Sequence, residues 1–146
     1  MTEAYWNLWS MAVALVGLLF VGLGLFFVMK GLHAKSGIRA ALKDENVATT
    51  EGGAVSRMPV VDAKTAAAQA DVIKQHIREE YGRFSDMARD DPNRDHYIRG
   101  LSLQNALNLA VIGFGVADLA IGNGVVIILL GVATLGFGLP ATYLLG

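Results

Sequence analysis

All twelve Lys and Arg residues of this chain lie between Lys30 and Arg99, and the sequence on either side of that segment is almost uncharged. Residues 5–29 contain no charged group, and residues 101–146 contain only Asp118. Hydrophobic residues make up 53% of the chain, so both flanking blocks are apolar enough to lie in lipid. This pattern is typical of an integral membrane protein and predicts an all-α fold.

The first apolar block predicts one transmembrane helix. Its uncharged run is 25 residues long, enough to cross a hydrocarbon core of ~30 Å at ~1.5 Å per residue. A cleaved signal peptide is not expected, because the run is too long and Glu3 precedes it instead of a cation. Aromatic residues suited to the headgroup level open the helix, and cations follow its end: Tyr5, Trp6 and Trp9, then Lys30, Lys35, Arg39 and Lys43. The positive-inside rule then places the amino terminus outside and residues 34–100 in the cytoplasm.

The second apolar block, residues 101–146, is about twice as long as one bilayer crossing requires. Gly122-Asn123-Gly124 near its middle is a turn signal. We therefore predict a hairpin of two helices, about Leu101–Ile121 and Val125–Leu144, whose tip is exoplasmic and whose carboxyl terminus returns to the cytoplasm. The predicted organisation is one transmembrane helix (1–33), a cytoplasmic helical segment (34–100) and a transmembrane hairpin (101–146), three spans in all. One long span with a peripheral tail is the alternative.

The cytoplasmic segment carries its own helix signals. The first helix is expected to continue to Asp44, and residues 46–57 are expected to form a loop. Asp62 is a candidate N-cap and Gly82 a candidate stop, and apolar residues recur between them at helical spacing: Ala66, Ala70, Ile73, Ile77 and Tyr81. These features predict an amphipathic helix. Asp91 and Pro92 then predict the start of the next helix near residue 92.

Small residues recur along each predicted membrane helix. The sets are Ser10, Gly17, Gly24 and Gly31; Ala106, Ala110, Gly113, Ala117 and Ala120; and Gly124, Gly131 and Gly138. A seven-residue step returns to nearly the same face of a helix, and small side chains there let two backbones approach closely. Each set therefore predicts a packing seam. The seams serve either to hold one chain together or to contact another subunit.

Three polar side chains fall on one face of the helix that starts the second block: Gln104, Asn108 and Asp118. A carboxylate at the centre of a membrane helix costs ~2.5–3.5 kcal/mol, and less near an interface. The first interpretation of Asp118 is therefore a carboxylate near the interface that reaches water or caps the predicted turn. The alternatives are a hydrogen-bonding anchor for a partner helix and a group on a proton or ion pathway.

Few catalytic or cofactor patterns are available to this chain. Cysteine is absent, and none of the three histidines (His33, His76 and His96) lies at membrane depth, where an axial ligand for haem or a pigment is needed. His76 with Glu79 and Glu80, and Asp91 with Asp95 and His96, are acidic groupings common on solvated helices, so no metal site is expected. No catalytic motif is present, and the basic residues are interleaved with acids. We expect no enzyme activity from this chain alone, no cofactor and no nucleic-acid binding.

Three stretches carry a resemblance: Asp62–Asp71 with Ile73 and His76, then Asp91-Pro92-Asn93-Arg94, and then Val116–Gly122. Together they resemble a group of small uncharacterised bacterial membrane proteins, over most of the chain from Lys43 onward. Members of that group tend to have a Gly-Gly turn after the cytoplasmic helix, where this chain has Tyr81-Gly82-Arg83. The resemblance implies the inner membrane of a bacterium, the three-span layout and no activity.

These observations favour a non-catalytic accessory or scaffold subunit that packs against other membrane subunits, of its own or another kind, and against lipid. The first alternative is a small homo-oligomeric transporter or channel lined by Gln104, Asn108 and Asp118. The second is a cytoplasmic platform whose Ala66–Tyr81 face recruits a soluble partner.

Overall fold

The computed structural model describes residues 2–44, 59–138 and 140, and their side chains from residue 8 onward. Over these residues the chain is helical, which confirms the all-α prediction. The long helices are α1 (Thr2–Asp44), α2 (Ala63–Tyr81) and α3 (Arg94–Ala133). A short 3-10 helix, Phe84–Asp86, precedes α3, and a π-helical turn, Thr134–Gly138, follows it. The predicted loop at 46–57 and the side chains of Tyr5 and Trp6 lie outside the described residues.

Two stretches of the described chain, Leu8–Asp44 and Arg94–Gly138, are long and apolar enough to cross a membrane, judged by length and composition. Helix α1 continues to Asp44 as predicted. At its charged boundary the Lys30 Nζ atom lies 5.6 Å from the centre of the Phe26 ring, one helical turn earlier. The cation thus sits over an aromatic face at the end of the uncharged stretch.

The predicted turn at Gly122-Asn123-Gly124 is wrong. Helix α3 is 40 residues long and passes through these three residues without a break, so the structure has one helix where a hairpin of two was expected. A Gly within a helix costs only ~1 kcal/mol relative to Ala, whereas a turn in hydrocarbon would leave several backbone groups unpaired at a cost of several kcal/mol each. The glycines have another use here, because Gly124 lies against the backbone of Gly24. No third helix of spanning length occurs among the described residues.

The chain divides into two compact units. The two-helix unit consists of Met1–His33 and Ala117–Gly146, and the three-helix unit consists of Ala34–Val116. Helices α1 and α3 each contribute residues to both units, while α2 belongs to the three-helix unit alone.

The core of the three-helix unit forms where α2 packs against the end of α1 and the first half of α3. Its buried apolar residues are Val60, Ala66, Ala70, Leu107, Ala110 and Phe114, with Ile38 and Leu42 of α1 packed against them. The residues Leu107, Ala110 and Phe114 were assigned to a membrane helix from their hydropathy, and in the structure they are core residues. This placement explains how the second apolar block can exceed the length of one bilayer crossing.

The apolar stripe of α2 faces this core. Ala66, Ala70 and Ile77 are all buried, and an ideal Cβ on Gly100 of α3 would lie 2.5 Å from the Cδ1 atom of Ile77. The chain itself already covers Ala66, Ala70 and Ile77. These three side chains are therefore not available to recruit a soluble partner, as the hypothesis of a cytoplasmic platform required.

A capping box starts α2 at the predicted residue. The Asp62 carboxylate accepts a hydrogen bond from the backbone N–H of Thr65 at 2.8 Å, and the Thr65 hydroxyl oxygen accepts one from the N–H of Asp62 at 3.1 Å. Arg39 of α1 donates from its Nε atom to the carbonyl of Val61 at 2.7 Å, which ties this start to α1. Gly82, with a φ of 75°, ends α2 as predicted, because glycine adopts this backbone conformation without strain.

The start of α3 is shifted slightly from its predicted position. The Asp91 carboxylate accepts a hydrogen bond from the N–H of Asn93 at 2.8 Å, so it does organise the turn. The helix itself begins at Arg94, two residues after Pro92.

We predict that Asp62→Ala destabilises the three-helix unit by about 1 kcal/mol, the usual cost of losing an N-cap side chain. Hydrogen bonds from the Thr65 backbone and hydroxyl hold the pKa of the Asp62 carboxyl below its usual 3.8. Because the folded-state pKa is depressed, this contribution is present above pH 3.8 and is lost as the pH falls through the lower folded-state value. Amide hydrogen exchange of α2 in detergent measures the effect. Asp71→Asn, at an exposed position in the middle of α2, is the matched control and should change the exchange little.

Candidate functional site

The small-residue sets of α1 and α3 meet each other in the two-helix unit. An ideal Cβ on Gly24 would lie 2.5 Å from the carbonyl oxygen of Gly124, and one on Gly131 would lie 2.8 Å from that of Gly17. An ideal Cβ on Gly31 would lie 2.7 Å from the carbonyl oxygen of Ala117. These distances are too short for any side chain, so the two backbones touch along this line. We call this contact the glycine seam.

The direction and end of the glycine seam follow from its partners. Gly31 is next to Ala117 while Gly17 is next to Gly131, so α1 and α3 run antiparallel in this unit. Gly138 lies against Val13, which puts the end of the described α3 region beside the start of α1. Buried positions along α1 repeat every seven residues, and this period is the one that a left-handed supercoil keeps on a single face.

Three members of the α3 set lie in the three-helix unit instead: Ala106, which is exposed, Ala110 and Gly113. Ala110 is buried in its core. An ideal Cβ on Gly113 would lie 2.8 Å from the Cδ1 atom of Ile38, so α1 also approaches α3 closely there. Ala110 and Gly113 thus face other parts of the same chain, as the glycines of the seam do.

The three polar residues of α3 are divided between the units. Gln104 (half-buried) and Asn108 (exposed) belong to the three-helix unit, and Asp118 (exposed) belongs to the two-helix unit. Asn108 and Asp118 are ten residues apart on one helix, or about 15 Å along its axis. They share a helix face, but this spacing does not gather them into one site.

Asp118 does not cap a turn at residues 122–124, because the helix continues there. Its neighbour Ala117 packs against Gly31, so Asp118 lies at the depth where α1 changes from its uncharged stretch to Lys30 and His33. This depth favours the interpretation as a near-interface carboxylate over that of a pathway group. Asp118 also has an interaction partner in the structure.

A second apolar line runs along α3, opposite to the glycine seam. Its members follow one another at alternating steps of three and four residues, and all are exposed: Leu109, Ile112, Val116, Leu119, Asn123, Val126, Leu130, Ala133 and Phe137. We call this line the outer stripe. Sequence reasoning missed it, although its spacing is visible in the sequence, because Asn123 was assigned to a turn and the helix was divided there.

Asn123 is the polar member of the outer stripe. Within the described residues its side-chain amide has no hydrogen-bond partner. The next residue, Gly124, packs against Gly24, which is six residues before Lys30 and therefore about 9 Å from it along the axis of α1. An amide at that depth without a partner is costly, at roughly 4–8 kcal/mol in a fully apolar solvent.

A groove of about 500 Å³ lies between α2 and α3 in the three-helix unit. His76 and Glu80 line it, with their Nε2 and Oε2 atoms 3.0 Å apart, and both side chains are largely exposed. A hydrogen bond to the Glu80 carboxylate raises the pKa of Tyr81 above its usual 10.0. Because the His76 and Glu80 side chains are exposed to solvent, their contact adds little to stability.

Aromatic rings pack together near the end of α2. The Tyr97 ring centre lies 6.5 Å from that of Tyr81 and 5.4 Å from that of Phe84, and the Arg94 guanidinium lies 4.3 Å from the centre of Phe84. These contacts pack the end of α2 against the start of α3. In the described part of the chain, no three His, Asp or Glu side chains come together as metal ligands.

We predict that Gly24→Ala destabilises the two-helix unit by about 1–3 kcal/mol, since the new methyl group overlaps the backbone of Gly124. Gly22→Ala is the matched control, because an ideal Cβ at Gly22 meets nothing within 4 Å. It should leave stability unchanged or raise it by up to about 1 kcal/mol. Denaturation in detergent, followed through the fluorescence of Trp6 and Trp9, compares the two. Equal loss in both variants would contradict a backbone contact at Gly24.

Comparison of the chain with protein-family profiles, curated proteins and solved structures gives no match. The resemblance to small bacterial membrane proteins therefore stays a prediction.

Proposed function

We propose that this chain is a non-catalytic accessory or scaffold subunit of a larger membrane protein assembly. In this proposal the two-helix unit anchors the chain in lipid, and the outer stripe contacts another subunit.

The observation that carries the proposal is the outer stripe within the three-helix unit. Leu109, Ile112 and Val116 are 68%, 62% and 60% exposed. They lie on the stretch of α3 that packs beside Ile38 and Leu42, where α1 also carries Lys35, Arg39 and Lys43. Large apolar side chains left exposed at the level of a charged segment mark an interaction surface. In the two-helix unit, lipid alone can cover such residues, so the argument for a protein partner is strongest in the three-helix unit.

We further propose that the anchor lies in the inner membrane of a bacterium, with the amino terminus outside and residues 34–100 in the cytoplasm. The restriction of Lys and Arg to residues 30–99 supports this orientation. The contact of Gly138 with Val13 supports an outer position for the end of α3 in this proposal, whereas the hairpin prediction put the carboxyl terminus in the cytoplasm.

Substitution on the outer stripe tests the proposal. Ile112→Gln should abolish co-purification of partner subunits from native membranes in mild detergent, because it places a polar group in the contact, while membrane insertion is kept. Ala106→Gln, at an exposed position on another face of α3, is the control and should leave the partners bound. Recovery of the unmodified chain as a monomer without any co-purifying subunit would overturn the proposal.

Fusion reporters test the orientation separately. We expect alkaline phosphatase attached after Gly146 to be active, as at an external site, because Gly138 lies beside Val13, on the outer part of α1 in this orientation. The same enzyme inserted between Ser85 and Asp86 should be inactive, as at a cytoplasmic site. Activity at the inserted site, or inactivity at the carboxyl terminus, would contradict the two-span orientation.

A further inference from the structure

We propose that the subunit contacting the outer stripe is a second copy of this chain, and that a hydrogen bond between the two Asn123 side chains sets the register of the pair. The inference rests on the proposed function and names the partner. Within the two-helix unit, the interface between the two copies consists of Leu119, Asn123, Val126, Leu130, Ala133 and Phe137.

The first step is the depth of Asn123. Its position about 9 Å inside the plane of Lys30 puts an amide within the hydrocarbon region of a membrane-embedded two-helix unit. The amide is exposed on the helix surface and has no partner among the described residues. Lipid chains cannot hydrogen-bond with it, so a polar group of another molecule at the same depth would relieve the cost.

The second step is the register of the outer stripe. Steps of three and four residues place Val116, Asn123, Leu130 and Phe137 at one heptad position, and Leu119, Val126 and Ala133 at the other. With the three-residue step leading from a to d, Asn123 occupies an a position. A single Asn at an a position fixes register and a two-stranded state in parallel coiled coils. In water the buried amide lowers stability, whereas in lipid an interhelical hydrogen bond between amides adds to it.

The third step is symmetry. Two copies with the same orientation in one membrane are related by a two-fold axis along the membrane normal, which runs their α3 helices parallel. Each a residue then faces its own copy at the same depth. An amide carries both a donor and an acceptor, so Asn123 is complementary to itself across such an axis. A different subunit would need an unrelated polar group at this depth, and for that reason the second copy is the partner we infer.

Cysteine cross-linking tests this geometry, and the chain has no native cysteine to interfere. Val126 and Val125 are exposed neighbours at nearly the same depth, but only Val126 belongs to the outer stripe. Two differently tagged copies carrying Val126→Cys are expressed together and oxidised in native membranes with copper–phenanthroline. We expect a product of twice the chain mass that contains both tags. Val125→Cys in both copies should give little of it.

The role of Asn123 is measured in the same background. Asn123→Leu combined with Val126→Cys should weaken association roughly 3- to 20-fold, the range measured for interhelical hydrogen bonds in membranes. Asn123→Gln should retain more of the product than Asn123→Leu, because it keeps an amide. An unchanged yield with Asn123→Leu would overturn the assignment of Asn123 as the registering residue.

The outcomes separate the partner from the proposed function. Cross-linking of Val126→Cys to a different protein would overturn the inference that the partner is a second copy of this chain. It would still support the proposal of an accessory subunit. No cross-linked product, or equal amounts from Val125→Cys and Val126→Cys, would overturn the inferred interface. The proposed function is tested separately by the co-purification of other subunits. A pure monomer without co-purifying subunits would overturn both proposals.

Discussion

The close backbone contact between α1 and α3 is the constraint on which the two-helix unit depends. In lipid there is little hydrophobic drive to bring two helices together, so dispersion between closely approaching backbones has to supply the attraction. Gly24 and Gly124 allow this because neither has a Cβ, and each would collide with the other's carbonyl oxygen if it did. The seven-residue spacing of the glycines repeats the contact along the helices. The same spacing leaves the opposite face of α3 for large side chains, which is how one helix carries both the glycine seam and the outer stripe.

Much of the fold follows from local sequence chemistry. The charge pattern, the capping residue Asp62 and the stop at Gly82 predict helices that the structure contains, because each acts through its nearest neighbours. The prediction of a turn at Gly122-Asn123-Gly124 failed for a physical reason. Glycine favours a turn when water can take up the freed backbone groups, but it equally permits the closest packing of two helices. Choosing between these uses requires knowledge of which residue lies opposite, and Gly24 is about one hundred positions away in the chain.

The residues of the candidate site could be predicted from the sequence, but the contacts between them could not. The small-residue sets were visible in the sequence, but the pairing of the α1 glycines with Ala117, Gly124 and Gly131 of α3 was not. The apolar stripe of α2 was likewise visible, yet only the three-dimensional arrangement shows that Ala66 and Ala70 are covered by α1 and α3. Hydropathy also could not distinguish the apolar residues of α3 that build a protein core, such as Phe114, from those that face outward. Both kinds are simply hydrophobic in the sequence.

The positions of Trp9 and Lys30 on α1 determine the thickness of the bilayer that this helix matches. Trp9 is exposed near the start of α1, and the Lys30 ammonium rests over the ring of Phe26 at the other boundary. Twenty-one helical steps separate these two residues, a rise of about 31 Å, close to the thickness of an ordinary hydrocarbon core. In such a bilayer α1 stands nearly upright. A thinner bilayer would force it to tilt, and the antiparallel α3 would have to lean with it because their backbones touch.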